Sequence, residues 1–214
     1  MNLKKEIEKL SLEIFPKVVS WRRHIHANPE LAFQEHKTAE FVSSILSEYN
    51  IAHETGIAKT GVVALIKGNN PNSKCIALRA DLDALPITET NSHSYISKNI
   101  GKMHACGHDY HTATLLGAGV VLNKLKANIE GSIKLIFQPS EEKLPGGAKI
   151  MIEHGVLENP KVDLIIGQHV TPEVATGKVG IRAGEFMASA DEIYLTVKGK
   201  GGHAAFPEKL NDPI

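Results

Sequence analysis

The sequence has no excess of charge of either sign, because 24 Lys and Arg residues balance 24 Asp and Glu residues. This balance removes any electrostatic reason to expect a nucleic acid or an anionic membrane as partner. Cys75 and Cys106 are the only cysteines, too few for a disulfide framework in 214 residues. No apolar run is long enough to span a membrane, and the N-terminus lacks the apolar region of a signal peptide. We therefore expect a cytoplasmic protein with reduced thiols.

Histidine, in contrast, is abundant, with 11 residues against a single Trp. Imidazole titrates near neutral pH and is a common metal ligand, so this excess points to metal or proton chemistry. The hydrophobic share of 42% and the charged share of 22% are those of a folded globular protein, which excludes disordered and collagen-like classes. The length suits one domain or two small ones.

Helix and strand patterns alternate along most of the chain. Apolar residues at three- and four-residue spacing predict helices over 2–27, 35–49, 109–126 and 146–154. Short apolar runs predict strands at VVALIKG, KCIALRA, SIKLIFQ and DLIIGQHV, the last of them buried. The alternation favours an α/β domain with a mostly parallel sheet, in which ligands lie beyond the carboxyl ends of the strands.

The pattern changes near Gly184. Residues 189–197 alternate like a strand exposed on one face, and a glycine-rich loop follows. We therefore predict a catalytic domain over 1–183 and the beginning of another domain over 184–214. The second segment is too short to bury a core of its own, so we expect the sequence to be a fragment of a longer protein.

The densest group of reactive side chains lies in MHACGHDYH, which contains His104, Cys106, His108, Asp109 and His111. In an extended segment, residues two apart point the same way, so Cys106 and His108 can converge on one metal ion. A thiolate and an imidazole suit zinc and similar divalent ions. A histidine-rich turn with one buried cysteine is the alternative, and the number of ligand types together favours the metal.

Further polar residues follow the predicted strands. Glu141 and Glu142 come directly after SIKLIFQPS, where one carboxylate can bind a metal and the other can move a proton. Such a pair is more often a solvated surface feature, and only its position favours a role. His169 ends DLIIGQHV; alone it is best explained as a core histidine, but beside Cys106 and Glu142 it is a natural further ligand.

Two aspartates follow the strand CIALRA. A ligating imidazole commonly donates its other N–H to a carboxylate, and we assign this role to Asp83, leaving the role of Asp81 open. Capping of the next turn is the alternative for both. His203, after the loop GKGG, is by itself best explained as an exposed loop histidine. The glycine motifs of nucleotide-binding proteins are absent, so a nucleotide has no support.

Taken in order, these motifs resemble the amidohydrolase branch of the aminoacylase/carboxypeptidase-type dinuclear metallohydrolases. This branch includes hippurate hydrolases, N-acyl-L-amino acid amidohydrolases and plant auxin-conjugate hydrolases. The resemblance extends from about residue 20 to the end and rests on WRRHIHANPELAFQEHKTAEFV, LRADLDALPI, GKMHACGHDYHTATLLGAG, IFQPSEEKLPGGAKIMIEHGV, DLIIGQHV and GKGGHAAFP.

The resemblance implies a metal site and a fold. Cys106, bridging two ions, would share the metal with His108, Glu142 and His169. The complete enzyme would hold up to two divalent ions of zinc, manganese, cobalt or nickel. The fold would be a zinc-peptidase-like catalytic domain followed by the start of a ferredoxin-like lid and dimerisation domain, and the full-length protein would be a homodimer.

The resemblance also implies a reaction, the hydrolysis of small N-acyl amino acids by a metal-activated water. Glu141 would be the general base and acid, and Asp83 would orient a ligand histidine. His203 would steady the scissile carbonyl, often in the neighbouring subunit's site. Family members are about twice as long and supply a further histidine near their C-terminus, so activity of this chain alone stays open.

Two other functions compete with this one. The first is a catalytically inactive module that binds a metal or ligand, motivated by the early end of the chain. The second is a thiol hydrolase with Cys106 as nucleophile and His108 or His104 as base. The thiol hydrolase is the weaker of the two, because it leaves Glu141, Glu142 and His169 without a role.

Overall fold

The computed structural model describes residues 2–189, 191–211 and 213. The chain divides after Thr171 into two compact units, the first ending there and the second beginning at Pro172. The domain boundary between 183 and 184 stays a prediction. None of the described helices is both long enough and apolar enough to cross a membrane.

The first unit contains four α-helices and five β-strands among its described residues, and their order alternates as the sequence patterns predict. The helices are α1 Leu3–Ala27, α2 His36–Glu48, α3 His108–Lys124 and α4 Gly147–Glu153. The strands are β1 His53–Ile57, β2 Gly61–Lys67, β3 Cys75–Asp81, β4 Ser132–Gln138 and β5 Leu164–Gly167. The α/β fold class is confirmed.

The five strands form one mixed sheet in the order β1-β2-β4-β3-β5. The pairs β1/β2 and β2/β4 are antiparallel, whereas β4/β3 and β3/β5 are parallel. Three neighbouring strands therefore end at the same edge of the sheet. The polar residues that follow them, predicted to carry the chemistry, are brought to this edge by the topology.

Helices pack on both faces of the sheet. Along β4, Leu135 and Phe137 belong to the core shared with α1, α2 and α3, whereas Ile136 belongs to a smaller cluster with Met151 of α4. Successive side chains of a strand point to opposite faces, which explains this division. Because β4 is covered on both sides, all seven of its residues are buried.

Two parts of the strand predictions are wrong, namely the burial of β5 and the strand over 189–197. The residues of β5, at one edge of the sheet, are exposed, with Ile165 and Ile166 each 50% accessible, because the faces of this strand are left largely uncovered. In the second unit, no strand is assigned to Ser189 or to 191–197, and Ala190 lies outside the described residues. A strand needs a hydrogen-bonded neighbour, and the one bridge among the unit's described residues joins Lys200 to Asn211.

Candidate metal centre

Two buried carboxylates, those of Glu35 and Asp83, accept hydrogen bonds from the backbone of the loop that carries the paired glutamates. Ser140 donates its backbone N–H to Glu35 Oε1 at 2.8 Å, and Glu142 donates its backbone N–H to Asp83 Oδ2 at 2.9 Å. Glu35, which is fully buried, also accepts the hydroxyl of Thr60 at 2.6 Å. Ser140 adopts a left-handed conformation with φ of 46°, which these contacts help to maintain.

The MHACGHD segment reaches the site through a sharp turn and not through an extended segment. Gly107 precedes α3 in a left-handed conformation with φ of 86°, and a Cβ there would lie 2.4 Å from Val170 Cγ2. Glycine is therefore required both for its conformation and for its lack of a side chain. The turn places Cys106 just before the helix and His108 at its first residue.

The structure brings the side chains of Cys106, His108 and His169 together. Cys106 Sγ lies 3.3 Å from His169 Nε2, and one ligand atom from each of the three residues lies within 4.8 Å of the others. His169 is oriented by its Nδ1, which lies 2.6 Å from the carbonyl oxygen of Val170. The convergence expected for Cys106 and His108 is therefore present, although the backbone route differs.

The glutamates approach the same histidine. His108 Nε2 lies 3.7 Å from Glu142 Oε1 and 3.9 Å from Glu141 Oε2. The other ring nitrogen, Nδ1, lies 3.2 Å from Asp83 Oδ1 and donates its proton there. Asp83 thus contacts both His108 and the glutamate loop. Contact with His108 is what the sequence predicted for Asp83, whereas contact with the glutamate loop, 59 residues away in the chain, was not predicted.

Two atoms at the centre of this group are buried and unpartnered among the described residues, namely His108 Nε2 and Glu142 Oε1. A lone pair and a carboxylate oxygen facing each other without a donor would be costly, since a buried polar group requires a partner. A cation between them would satisfy both. The donor set of thiolate, imidazoles and carboxylates is one that zinc accepts, so the residues present fit a divalent metal.

A histidine that the sequence left without a role supports this arrangement. His111 donates from Nδ1 to Asp81 Oδ1 at 2.7 Å and accepts the backbone N–H of Val170 on Nε2 at 3.0 Å. It therefore ties the segment that carries His169 to the end of β3. Burial would raise the pKa of Asp81, but the hydrogen bond from His111 and the positive charge of Arg79 outweigh it and hold the pKa well below the usual range.

Burial and the neighbouring carboxylates also shift the pKa values of other titratable groups of the site. Burial, followed by a hydrogen bond with Glu142, raises the pKa of the Cys106 thiol to about 12. These surroundings disfavour a free thiolate, which weakens the thiol-hydrolase alternative. Burial also lowers the pKa of His104 to about 4, so its imidazole is neutral at physiological pH. The pKa of Glu141 is raised by burial and by the neighbouring Glu142.

His203 lies in the second unit, where its side chain is exposed and its Nδ1 accepts the backbone N–H of Ala205 at 3.1 Å. Its role toward the substrate stays a prediction.

Glu35 was missed by the sequence analysis, although it lies in the quoted stretch WRRHIHANPELAFQEHKTAEFV. Nothing in the local sequence distinguishes a buried glutamate before a helix from an exposed one, so the burial of Glu35 is known from the folded structure alone.

Comparison with known proteins identifies the family. The family model for peptidase family M20/M25/M40 matches residues 77–213, which contain all seven predicted site residues. This chain belongs to peptidase family M20/M25/M40. The family assignment agrees with the resemblance inferred from the motifs.

Alignments to individual relatives extend over nearly all of this M20 chain. An N-acyl-L-amino acid amidohydrolase from Geobacillus stearothermophilus is 45% identical over 99% of the chain and 56% of its own length. The crystal structure of a protein from methicillin-resistant Staphylococcus aureus superposes with a TM-score of 0.82 at 40% identity, over 100% of this chain and 56% of that one.

A further crystal structure is that of the Bacillus subtilis YXEP protein, a dinuclear metal binding peptidase of the M20 family. It superposes with a TM-score of 0.74 at 41% identity, over 79% of this chain and 47% of that one. The M20 chain described here thus spans about half the length of the proteins that it matches.

Proposed function

We propose that the whole protein is a metal-dependent amidohydrolase that cleaves the amide bond of small N-acyl amino acids, releasing a carboxylic acid and a free amino acid. Membership of the M20 family supports the reaction class. The 45% identity to an N-acyl-L-amino acid amidohydrolase supports the substrate class. A homodimer and a cytoplasmic location stay predictions.

The observation that carries the proposal is the pair of buried, unpartnered atoms, His108 Nε2 and Glu142 Oε1, 3.7 Å apart. They lie at the shared edge of three strands, next to the thiol and the imidazole of Cys106 and His169. A structural role would leave both atoms with an uncompensated loss of hydration, whereas a bound cation would compensate each.

The four predicted ligands, Cys106, His108, Glu142 and His169, would hold one or two divalent ions. The thiolate and imidazoles favour zinc, and manganese, cobalt and nickel are the other candidates. A divalent ion bound here would supply Lewis-acid chemistry, polarising a carbonyl oxygen and making water nucleophilic at neutral pH. The dinuclear relative supports the count of up to two ions.

The chain's own residues would move the proton. Glu141 is part of the site but 43% of its side chain is exposed, so its carboxylate is free to take a proton from the attacking water and return it to the departing amine nitrogen. Asp83 would keep the proton of His108 on Nδ1 and so direct Nε2 into the site. His203 would stabilise the negative charge that develops on the carbonyl oxygen.

The proposal is tested by Glu141→Gln in the whole protein. We expect turnover of an N-acyl amino acid panel to fall by about 10²–10⁴-fold, because the proton carrier is lost. Metal content measured by elemental analysis should be unchanged. Glu153→Gln, an exposed glutamate of α4, is the matched control. Wild-type turnover in the Glu141→Gln variant would remove the role assigned to this residue.

The alternative, an inactive module that binds a metal or ligand, is separated by the same assays on the whole protein and on the 214-residue chain alone. Bound metal without turnover in both the isolated chain and the whole protein would support the module. Turnover that resists a chelator but is lost on thiol alkylation would instead support the thiol hydrolase.

A further inference from the structure

A second cluster of metal-ligating side chains lies apart from the candidate metal centre. His26 at the end of α1 and Glu89 and His93 in the segment after β3 bring one ligand atom each to within 4.8 Å of the others. The side chains of His26 and Glu89 are 3% and 2% exposed. The side chain of His93 is 29% exposed, so the cluster is buried on one side and open to solvent on the other.

The hydrogen-bond geometry of His26 requires a positive charge. His26 Nδ1 lies 2.7 Å from Asp109 Oδ2, and its Nε2 lies 3.1 Å from Glu89 Oε1. A neutral imidazole has one N–H, so it can donate to one of these carboxylates and would present a lone pair to the other. Either a proton or a metal ion must therefore be shared at this position.

The guanidinium of Arg22 lies beside the Asp109 side of His26, with its Nη2 3.3 Å from His26 Nδ1. Arg22 pairs with Asp109 at 2.7 Å, which leaves Glu89 as the uncompensated carboxylate. Among the described residues, no lysine or arginine forms an ion pair with Glu89, whose ion-pair contacts are His26 and His93. With both imidazoles neutral, the two ring nitrogens and the Glu89 oxygen that they face carry one net negative charge.

The nitrogen–oxygen distances in the cluster are slightly shorter than those between the ligands of a bound zinc ion. His93 Nε2 lies 3.0 Å from the same Glu89 Oε1 that His26 Nε2 approaches to 3.1 Å. Ligand atoms around a tetrahedral zinc with bonds of about 2.0–2.2 Å are about 3.3–3.5 Å apart. The cluster therefore needs to expand by a few tenths of an ångström, which the partly exposed His93 can provide.

The groups behind the ligands resemble those that hold ligands in metal sites. Asp109 accepts from His26 Nδ1, which fixes the tautomer whose Nε2 is available as a ligand. The second oxygen of Glu89 accepts the backbone N–H of Ser97 at 2.7 Å, which holds the carboxylate in place. His93 stacks on Tyr95 with ring centroids 4.0 Å apart. His26 and the second oxygen of Glu89 are therefore held by partners that an ion would not displace, whereas Glu89 Oε1 also accepts a side-chain N–H of Asn91 at 3.0 Å, which a bound ion would have to share or replace.

We propose that His26, Glu89 and His93 form a divalent-metal site of two imidazoles and one carboxylate, suited to zinc and separate from the candidate metal centre. The site joins the end of α1, the first turn of α3 through Asp109, and the segment between β3 and α3. Its open side leaves a coordination position for water, so its role is to bind an ion that links these three segments.

The experiment uses cobalt(II) as a spectroscopic probe in the Cys106→Ser/His169→Gln variant, which has lost two ligands of the candidate metal centre. We expect this variant to bind about one Co²⁺ per chain with d–d absorption and no thiolate charge-transfer band. Adding His93→Gln should weaken this binding by more than about tenfold, because ligand loss exceeds the loss of an outer-shell partner. Adding His154→Gln, an exposed histidine of the same unit, is the matched control.

Glu89→Gln provides an independent test, because the amide keeps an acceptor for Ser97 N–H but removes the charge. It should also abolish the cobalt spectrum, with circular dichroism used to check that the fold persists. Failure of the Cys106→Ser/His169→Gln variant to bind Co²⁺ would overturn the proposal. Binding that survives both His93→Gln and Glu89→Gln would also overturn it, and in either case a protonated His26 would satisfy the cluster.

Discussion

Two histidine clusters meet at the start of α3, and the ring nitrogens of their histidines have different partners. His108 faces the candidate metal centre, where Nδ1 contacts Asp83 and Nε2 is buried without a partner. The next residue, Asp109, belongs to the other cluster, which we call the His26 cluster and which consists of His26, Glu89, His93 and Asp109. There both ring nitrogens of His26 contact carboxylates. The candidate metal centre is therefore organised around a ring nitrogen that has no partner, whereas the His26 cluster is stabilised by contacts between an imidazole and two carboxylates.

This difference predicts that the two clusters fail in different ways. Removing a carboxylate from the His26 cluster should reduce the stability of the fold, since the cluster joins α1 to α3 through buried charges. Removing a carboxylate from the candidate metal centre should reduce metal affinity with less effect on the fold. Three substitutions test the comparison, in order of decreasing expected effect.

The largest effect is expected for Asp109→Asn. Its side chain is fully buried and pairs with both Arg22 and His26, so the substitution leaves a cationic partner uncompensated. Loss of one partner of a buried pair costs about 3 kcal/mol or more. Urea unfolding should show this loss, with Asp191→Asn, an exposed aspartate, unchanged. Unaltered stability together with weaker metal binding at Cys106 and His108 would reverse the comparison.

An intermediate effect is expected for Asp83→Asn. The amide keeps an oxygen for the backbone N–H of Glu142 but is a poorer acceptor for His108 Nδ1. Loss of such a partner weakens metal affinity by about 10–100-fold. A competition titration with a chromogenic chelator measures this change. Asp163 is an exposed aspartate at the opposite ends of the strands, and Asp163→Asn keeps an oxygen for the backbone N–H of Cys75. This variant should bind metal as the wild type does, and an equal loss there would show a general charge effect.

The smallest effect is expected for Glu35→Gln, and it depends on pH. Burial raises the pKa of Glu35 above its ordinary value of 4.5, so folding favours the protonated carboxyl. The stabilisation from this group is complete below the unfolded-state pKa and is lost as pH rises through the folded-state pKa. The amide does not titrate.

The stability of the wild type relative to Glu35→Gln should therefore fall as the pH is raised from below 4.5 toward neutrality. Thermal unfolding of both proteins across this range measures the trend. A difference that is constant with pH would mean that Glu35 titrates alike in the folded and unfolded chain. A difference that grows in favour of the wild type would mean that the ionised carboxylate is the form that holds the Ser140 loop.

The helices and the central strands were predictable because each carries a periodic apolar pattern. The apolar spacing of α1, α2 and α3 and the apolar runs of β2, β3 and β4 locate these elements within a few residues. Strand β1 was missed, since HETGI has no alternation that distinguishes it from a loop. Strand β5 was found but wrongly predicted to be buried, because an apolar run does not reveal whether other elements cover both faces of the strand.

Local sequence alone predicted which residues carry the chemistry, and these roles stay predictions. The paired glutamates and His169 follow strands whose ends could be predicted, and MHACGHDYH leads into a helix that could be predicted. It also established the family resemblance, the α/β class and the order of elements, because these depend on residue type and on contacts between near neighbours. Tertiary structure alone decided that Glu35 is buried beneath Ser140, that His111 ties Asp81 to Val170, and that Asp109 turns toward His26 and not toward His108's site. These contacts join residues tens of positions apart, and their burial and charge exist only once the chain has packed.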